Sequence, residues 1–373
     1  MKISYIWLLE ILACWAVLFA IQIPRRMNKH RVIRTVIFLL KLLLIPAIAL
    51  LFVAIECKLS YRHGDILCAA YVALCADSAA SVIEFVIRKV KSIGGSEEDK
   101  HSCIQSLIAA LSLAGCVALT AYGAVNAWSI HMVTHDWKAE GLTGEHTFAF
   151  VADIHAGSAQ SVDKVAELVD QINSENPEFV ILGGDVTDEL TTYDDMLATY
   201  KNLSALKAPT YFIYGNHDRQ PDWDYFGSRT YTDEQLEETI KSSGITILSD
   251  EYVQLADDLV MLGREDVSMT DLRKDWKTLK NPYAGKGALI VADHQPYDNE
   301  QLAVEDSVLQ LSGHTHAGQM WPLQKIYRLA GRQAYGEFKY PGTMLYVTAG
   351  ESDWMMPLRT EEHCEWDLVT IRP

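Results

Sequence analysis

Cysteine is nearly absent from the carboxyl-terminal two thirds of this 373-residue chain. Of seven cysteines, Cys14, Cys57, Cys68, Cys75, Cys103 and Cys116 precede residue 130, which leaves Cys364 alone. One thiol forms no internal disulfide, so this part folds without staples, and no CxxC pair or nucleophilic-cysteine context is present. Positive charge is scarce there too: residues 131–373 hold 19 Lys and Arg against 41 Asp and Glu, a net −22. So acidic a surface repels a polyphosphate backbone, and nucleic acid is not an expected partner. Internal repeats and low-complexity tracts are lacking as well.

The first 130 residues are different, with 13 Lys and Arg against 8 Asp and Glu. Apolar runs lie at 3–23, 35–55, 66–87 and 104–127, each close to the ~20 residues a helix needs to cross a bilayer. The third is diluted by Asp77 and Glu84, so three spans are the alternative to four. The first run is followed by Arg25-Arg26, the reverse of a secretory signal's charge order, and reads as retained. Arg25, Arg26, Lys29, Arg31 and Arg34 follow span one, and Arg88, Lys89, Lys91 and Lys100 follow span three. Only Lys58 and Arg62 separate spans two and three. Positive loops stay cytoplasmic. The expectation is a multi-pass protein of the cytoplasmic (inner) membrane, partnered by the lipid bilayer, with about four spans in residues 1–130. Residues 131–145 would be a linker, with Trp128 and Trp137 as interface anchors, and 146–373 an extracytoplasmic domain.

That domain alternates short apolar runs with helical stretches. Buried strands are expected at 148–152, 179–182, 210–214 and 245–248, then at 252–255, 259–263, 288–292, 308–312 and 343–348. Residues 161–172 carry apolar side chains at 162, 165, 168, 169 and 172, one helical face, and Asn176-Pro177 ends the pattern. Further helices are expected at about 192–206 and 232–243. The pattern implies an α/β fold, a two-sheet β-sandwich flanked by helices.

Five short pieces carry the chemistry: Asp153-Ile154-His155, Gly183-Gly184-Asp185-Val186-Thr187-Asp188, Gly215-Asn216-His217-Asp218, Asp293-His294 and Gly313-His314-Thr315-His316. Four follow apolar runs, so their polar side chains fall at the carboxyl ends of strands, where layered α/β proteins place their chemistry. Asp-x-His sets a carboxylate and an imidazole on one face. Asp185 follows a buried strand, where an unpartnered carboxylate is costly and a cation removes the cost. Imidazole, carboxylate and amide oxygen together suit a divalent Mn, Fe or Zn ion.

In this order, the pieces resemble the calcineurin-like metallophosphoesterase superfamily, over about residues 146–370. Gly313 to Gln319, with Val347-Thr348-Ala349-Gly350 and Pro357-Leu358-Arg359, is similar to its bacterial membrane-anchored branch with amino-terminal transmembrane helices. The resemblance implies two divalent metal ions. Asp153, His155 and His316 would hold the first, Asp185 would bridge, and Asn216, His294 and His314 would complete the second. It also implies that His217 is the general acid and Asp188 its partner. After Asp188 comes Glu189-Leu190, not the Arg-Gly of phosphoprotein phosphatases, which argues against protein phosphatase activity. Arg219 is a candidate for substrate phosphate, and Asp293 either orients a neighbour or caps its loop.

The function expected is metal-dependent hydrolysis of a phosphodiester or phosphomonoester, lipid-linked substrates included. Hydrolysis of UDP-2,3-diacylglucosamine in lipid A synthesis and a non-catalytic metal-binding scaffold are the alternatives.

Overall fold

The computed structural model describes Ala118 and residues 121–220, 229–296, 307–321, 323–354 and 358–373. Residues from Tyr122 to Pro373 form one unit. It contains two six-stranded sheets.

The first sheet has the order β1-β12-β2-β3-β4-β5, and the second β10-β11-β9-β8-β7-β6. In the first, β1 (Ile130–Lys138), β2 (His146–Val151), β3 (Val180–Leu182), β4 (Thr210–Phe212) and β5 (Thr246–Ile247) are joined by β12 (Cys364–Arg372). Strands β2 to β5 run parallel, and β12 is antiparallel to β2 while parallel to β1. The second holds β6 (Glu251–Ala256), β7 (Leu259–Gly263), β8 (Ala288–Ala292), β9 (Ser307–Ser312), β10 (Gly336–Tyr340) and β11 (Thr343–Val347). Its central β7, β8, β9 and β11 are parallel, with antiparallel β6 and β10 outside.

Alternation along the strands builds three apolar layers. Phe148, Phe150 and Ile181 face Leu259, Met261, Ile290, Leu309 and Leu311 between the sheets. The opposite face of the first sheet, through Ala149, Val151, Val180 and Leu182, packs beneath helices. Val260, Leu262, Leu289 and Val291 turn outward to Trp276. Strands covered on both faces are apolar throughout, which is why the sequence shows continuous runs.

Helix α1 (Val162–Glu175) begins at Ser161, whose side chain accepts from the Lys164 amide, and ends with Asn176 in the left-handed region. It buries Val165, Leu168, Val169 and Ile172. Thr192 and Thr232 cap α2 (Tyr193–Leu203) and α4 (Asp233–Ser242) in the same way. A four-residue turn, α3 (Asn216–Arg219), sits between them. Each cap satisfies an amide that the helix cannot.

The stretch expected as a linker, 131–145, is largely strand: β1 pairs with β12 from Ile130↔Cys364 to Lys138↔Arg372. Trp137 is not a membrane anchor. It is buried, and its Nε1 donates to Glu337 Oε1 at 2.9 Å. The expected spans at 3–23, 35–55 and 66–87 lie outside the described residues, as does most of the fourth. Its described end, 121–127, is helical and pinned to the domain: Gly123 O accepts from Arg359 N, and Asn126 Nδ2 donates to Arg359 O. Among the described residues no helix is long and apolar enough to cross a membrane. The multi-pass membrane location read from hydropathy is therefore overturned. An apolar run of this length also suits a helix buried in protein, so hydropathy alone was not decisive.

Phe150 is fully buried between the sheets, directly beneath Gly183 in the ligand-bearing turn. Phe150→Ala is expected to cost about 3–5 kcal/mol, read as a lower denaturation midpoint; a loss below ~1 kcal/mol would show that the sandwich is not packed here as described.

Candidate metal centre

The parallel strands deliver the five sequence pieces to one end of the sandwich. Asp153 and His155 follow β2, Asp185 follows β3, Asn216 and His217 open α3 after β4, and His294 follows β8. His314 and His316 lie past β9, His316 opening a single 3-10 turn. Asp153, His155 and His316 bring ligand atoms within 4.8 Å of one another, and so do Asp185, His294 and His314. The sets adjoin: His155 Nε2 is 4.0 Å from Asp185 Oδ2, and His294 Nε2 is 4.0 Å from Asp153 Oδ1.

Backbone strain accompanies this convergence. Asp153, His155, Asp185, His314 and His316 have φ between 46° and 72°. That region is unfavourable to side-chain-bearing residues and persists only where surroundings impose it. Asp218 imposes it at Asp185: its Oδ2 accepts from the amides of Asp185 (2.7 Å) and Gly215 (3.0 Å). Its Oδ1 accepts from the Thr187 amide at 3.0 Å. Gly184, with φ +92°, passes so close to the next loop that a Cβ would lie 2.7 Å from Gly215 N and His294 Nδ1.

The tautomers follow from partners that can only accept. His294 Nδ1 donates to Gly183 O at 2.8 Å, and His316 Nδ1 donates to Ser352 O at 3.0 Å. Each therefore turns its Nε2 inward, and in the neutral ring that nitrogen is bare. His294 Nε2 lies 2.9 Å from Asp185 Oδ2, a spacing that calls for a proton or a cation between them. His155 Nδ1 faces Asp188 Oδ2 at 3.2 Å, and its Nε2 is 3.3 Å from His316 Nε2. Asn216 Oδ1 is buried with no hydrogen-bond partner among the described residues. Acceptors facing acceptors are repulsive unless positive charge lies between them. This donor set fits divalent ions.

The electrostatics agree. Burial opposes ionisation of Asp185, yet the nearby imidazoles of His294 and His217 hold its carboxyl well below the usual range. Against burial, Asp185 holds the His294 imidazole well above its ordinary value. Burial, then the neighbouring His155 and Arg359, pushes His316 well down. Carboxylates here hold positive charge, and imidazoles without such help stay neutral, as metal ligands must.

Two expectations change. Asp188 acts on His217 through its charge, but its hydrogen bond goes to another ring. It meets His155, and it is Glu189 Oε2 that lies 2.8 Å from His217 Nδ1, both side chains being buried. Sequence reading missed Glu189 because two adjacent carboxylates give no sign of which turns to which ring. Arg219 is not open to a phosphate: it pairs with Glu265 and stacks on the Tyr214 ring, 3.4 Å from its centroid. Asp293 orients a neighbour, accepting both Arg273 Nη1 (3.1 Å) and Nη2 (2.6 Å).

Behind His316 the chain is held by Arg359, which is fully buried. Its Nε donates to Asp353 Oδ1 at 2.5 Å and its Nη2 to Ser352 O at 2.8 Å. This explains the sequence signal at Pro357-Leu358-Arg359.

Residues 146–318 match the family model described as calcineurin-like phosphoesterase. This stretch, rather less than half of the chain, is similar to calcineurin-like phosphoesterases. An uncharacterized metallophosphoesterase of Helicobacter pylori (strain J99) is 31% identical over 226 residues, covering 58% of this chain and 57% of its own. A Danio rerio transmembrane protein with metallophosphoesterase domain is 28% identical, covering 70% of this chain and 62% of its own. Phosphodiesterase YaeI of Escherichia coli (strain K12) is 28% identical, covering 54% of this chain and 73% of its own. The chain thus spans about three fifths of the length of the first two.

Glu351, in the same loop as Ser352, is fully buried, and its carboxyl accepts from Gln160 Nε2 at 3.2 Å. Burial pushes it up to about 8 from an ordinary 4.5. The folded state then binds more protons than the unfolded chain across that interval, so stability falls as pH rises through it. Glu351→Gln removes the titration. The melting temperature of the variant relative to wild type is expected to climb from pH 5 to 8 and level off above. A gap unchanged across that range would contradict a neutral buried acid.

Proposed function

We propose that this chain is a phosphoester hydrolase working with two divalent ions of the Mn, Fe or Zn class. Asp153, His155 and His316 would hold one, Asn216, His294 and His314 the other, with Asp185 between. The convergence of two ligand triads around Asp185 carries this reading. Bound there, such ions polarise a phosphoryl group and acidify water.

His217 is the proton donor in this scheme. It lies beside the His155 ring, 5.0 Å between centroids, but belongs to neither triad. Burial opposes its protonation, yet Asp185 and Glu189 push the imidazole up to about 9, so it carries a proton at neutral pH. As the P–O bond breaks, Nε2 gives that proton to the leaving oxygen and the ring becomes neutral. A metal-binding scaffold has no use for a buried, carboxylate-held imidazole outside its ligand set.

Charge favours a diester substrate. Arg219, Arg264, Arg273 and Arg359 are paired with Glu265, Asp250, Asp293 and Asp353. A dianionic monoester therefore finds none of these guanidinium groups open to it, whereas a monoanionic diester needs less compensation.

Loaded with Mn, the protein is expected to hydrolyse bis(p-nitrophenyl) phosphate faster than p-nitrophenyl phosphate. On an ester with a poor leaving group, such as an unsubstituted phenyl diester, His217→Ala should keep its metal while losing ~10²–10⁴ in turnover, and Asp185→Ala should lose both. Metal analysis beside rate measurement decides the assignment: His217→Ala protein stripped of metal would make that residue a ligand.

A further inference from the structure

Asp188 and Glu189 are adjacent acids with separate duties. Asp188 Oδ1 accepts from the amides of Leu190 (2.9 Å) and Thr191 (3.1 Å), closing a turn on its own backbone. Its Oδ2 faces His155 Nδ1 at 3.2 Å and also accepts from Ser158 Oγ. Both oxygens are thus engaged by other groups, and Asp188 acts on His217 through its charge. Glu189 Oε2 instead lies 2.8 Å from His217 Nδ1, with side chains only 5% and 6% exposed. Neither residue belongs to a ligand triad.

We infer that Glu189 is the positioning residue for His217, and that Asp188 orients the metal ligand His155. The turn explains the division. By tying Asp188 back to Leu190 and Thr191, it commits one side chain to the His155 side and leaves the next to reach α3. A carboxylate on Nδ1 fixes that nitrogen as the protonated one in neutral imidazole. Nε2 is then the atom that carries the mobile proton. During cleavage the Nε2–H bond breaks, its electron pair stays on nitrogen, and the proton joins the leaving oxygen. Glu189 remains a carboxylate throughout and never touches substrate.

The inference rests on the phosphoesterase reading for its kinetics but not for its geometry. Four forms of the full chain are compared: wild type, Glu189→Gln, Glu189→Ala and Asp188→Asn. Metal content is measured on each. Turnover is followed on aryl phosphodiesters of graded leaving-group acidity, from p-nitrophenyl to unsubstituted phenyl. Loss of a held proton donor penalises poor leaving groups selectively. Glu189→Ala should keep its metal and its KM, lose ~10–100-fold in kcat on the phenyl ester, and change less than ~3-fold on the p-nitrophenyl ester. Glu189→Gln, which keeps an acceptor oxygen, should fall between the Ala variant and wild type. Asp188→Asn should lose metal and slow both esters alike.

Imidazole ¹⁵N shifts of His217 give a readout independent of turnover. Recorded above pH 9, where the ring has given up its mobile proton, wild type should show protonation at Nδ1, and Glu189→Ala a shift of that proton toward Nε2. An inactive wild type would sink the phosphoesterase reading, while the ¹⁵N shifts still decide the positioning. Equal slowing of both esters by Glu189→Ala, metal loss in that variant, or an unchanged tautomer would overturn the inference.

Discussion

Asp218 touches none of the groups that would meet a metal, yet the site is built on it. Its two oxygens gather the amides of Asp185, Gly215 and Thr187 and the Thr187 hydroxyl. These bonds join the loop after β3 to the loop after β4. Through them the Asp185 backbone is held left-handed, and Asp185 Oδ1 receives the His217 amide at 2.8 Å. One carboxylate thereby sets Asp185 and His217 relative to each other. A fully buried acid making this many bonds is expensive to remove, because each freed amide would lie unsatisfied away from water.

The ligand residues illustrate what that rigidity opposes. Left-handed backbone costs roughly 1–2 kcal/mol at each non-glycine position, and five of the seven candidate ligands adopt it. The cost is met by bonds these loops make to one another. His314 N donates to Asp153 at 3.0 Å, and Glu351 N reaches Ala152 O at 2.9 Å. The result is a set of donors fixed before any ion arrives. Preorganisation of this kind lets a site bind cations without reordering its loops.

Which parts were legible in the sequence follows from the physics of burial. Strands β2, β3, β4 and β8 are covered on both faces and announced themselves as continuous apolar runs. Strand β12 did not, since it alternates Glu365 and Asp367 with apolar residues and reads like an exposed segment. Those acids are buried, accepting from the Tyr346 hydroxyl at 3.0 and 2.9 Å. Strand β1 lies at a sheet edge, with a half-polar sequence that resembles a linker. The ligand types were legible because metal chemistry restricts them to few residues. The pairing of Asp188 and Glu189 was not, because it depends on a turn that only the folded backbone reveals.

Charge connects these local arrangements to what can reach the site. The carboxyl-terminal part carries a net −22, and four of its arginines are committed to carboxylates. The surrounding field therefore attracts divalent cations and repels polyanions. In the proposed reaction, positive charge would then have to come from bound ions and from the imidazole of His217. Under the proposed function, a substrate admitted in those conditions would be small or carry its phosphate as a single negative charge. The acidity that first excluded nucleic acid and the donor set that calls for metal ions are thus parts of one electrostatic design.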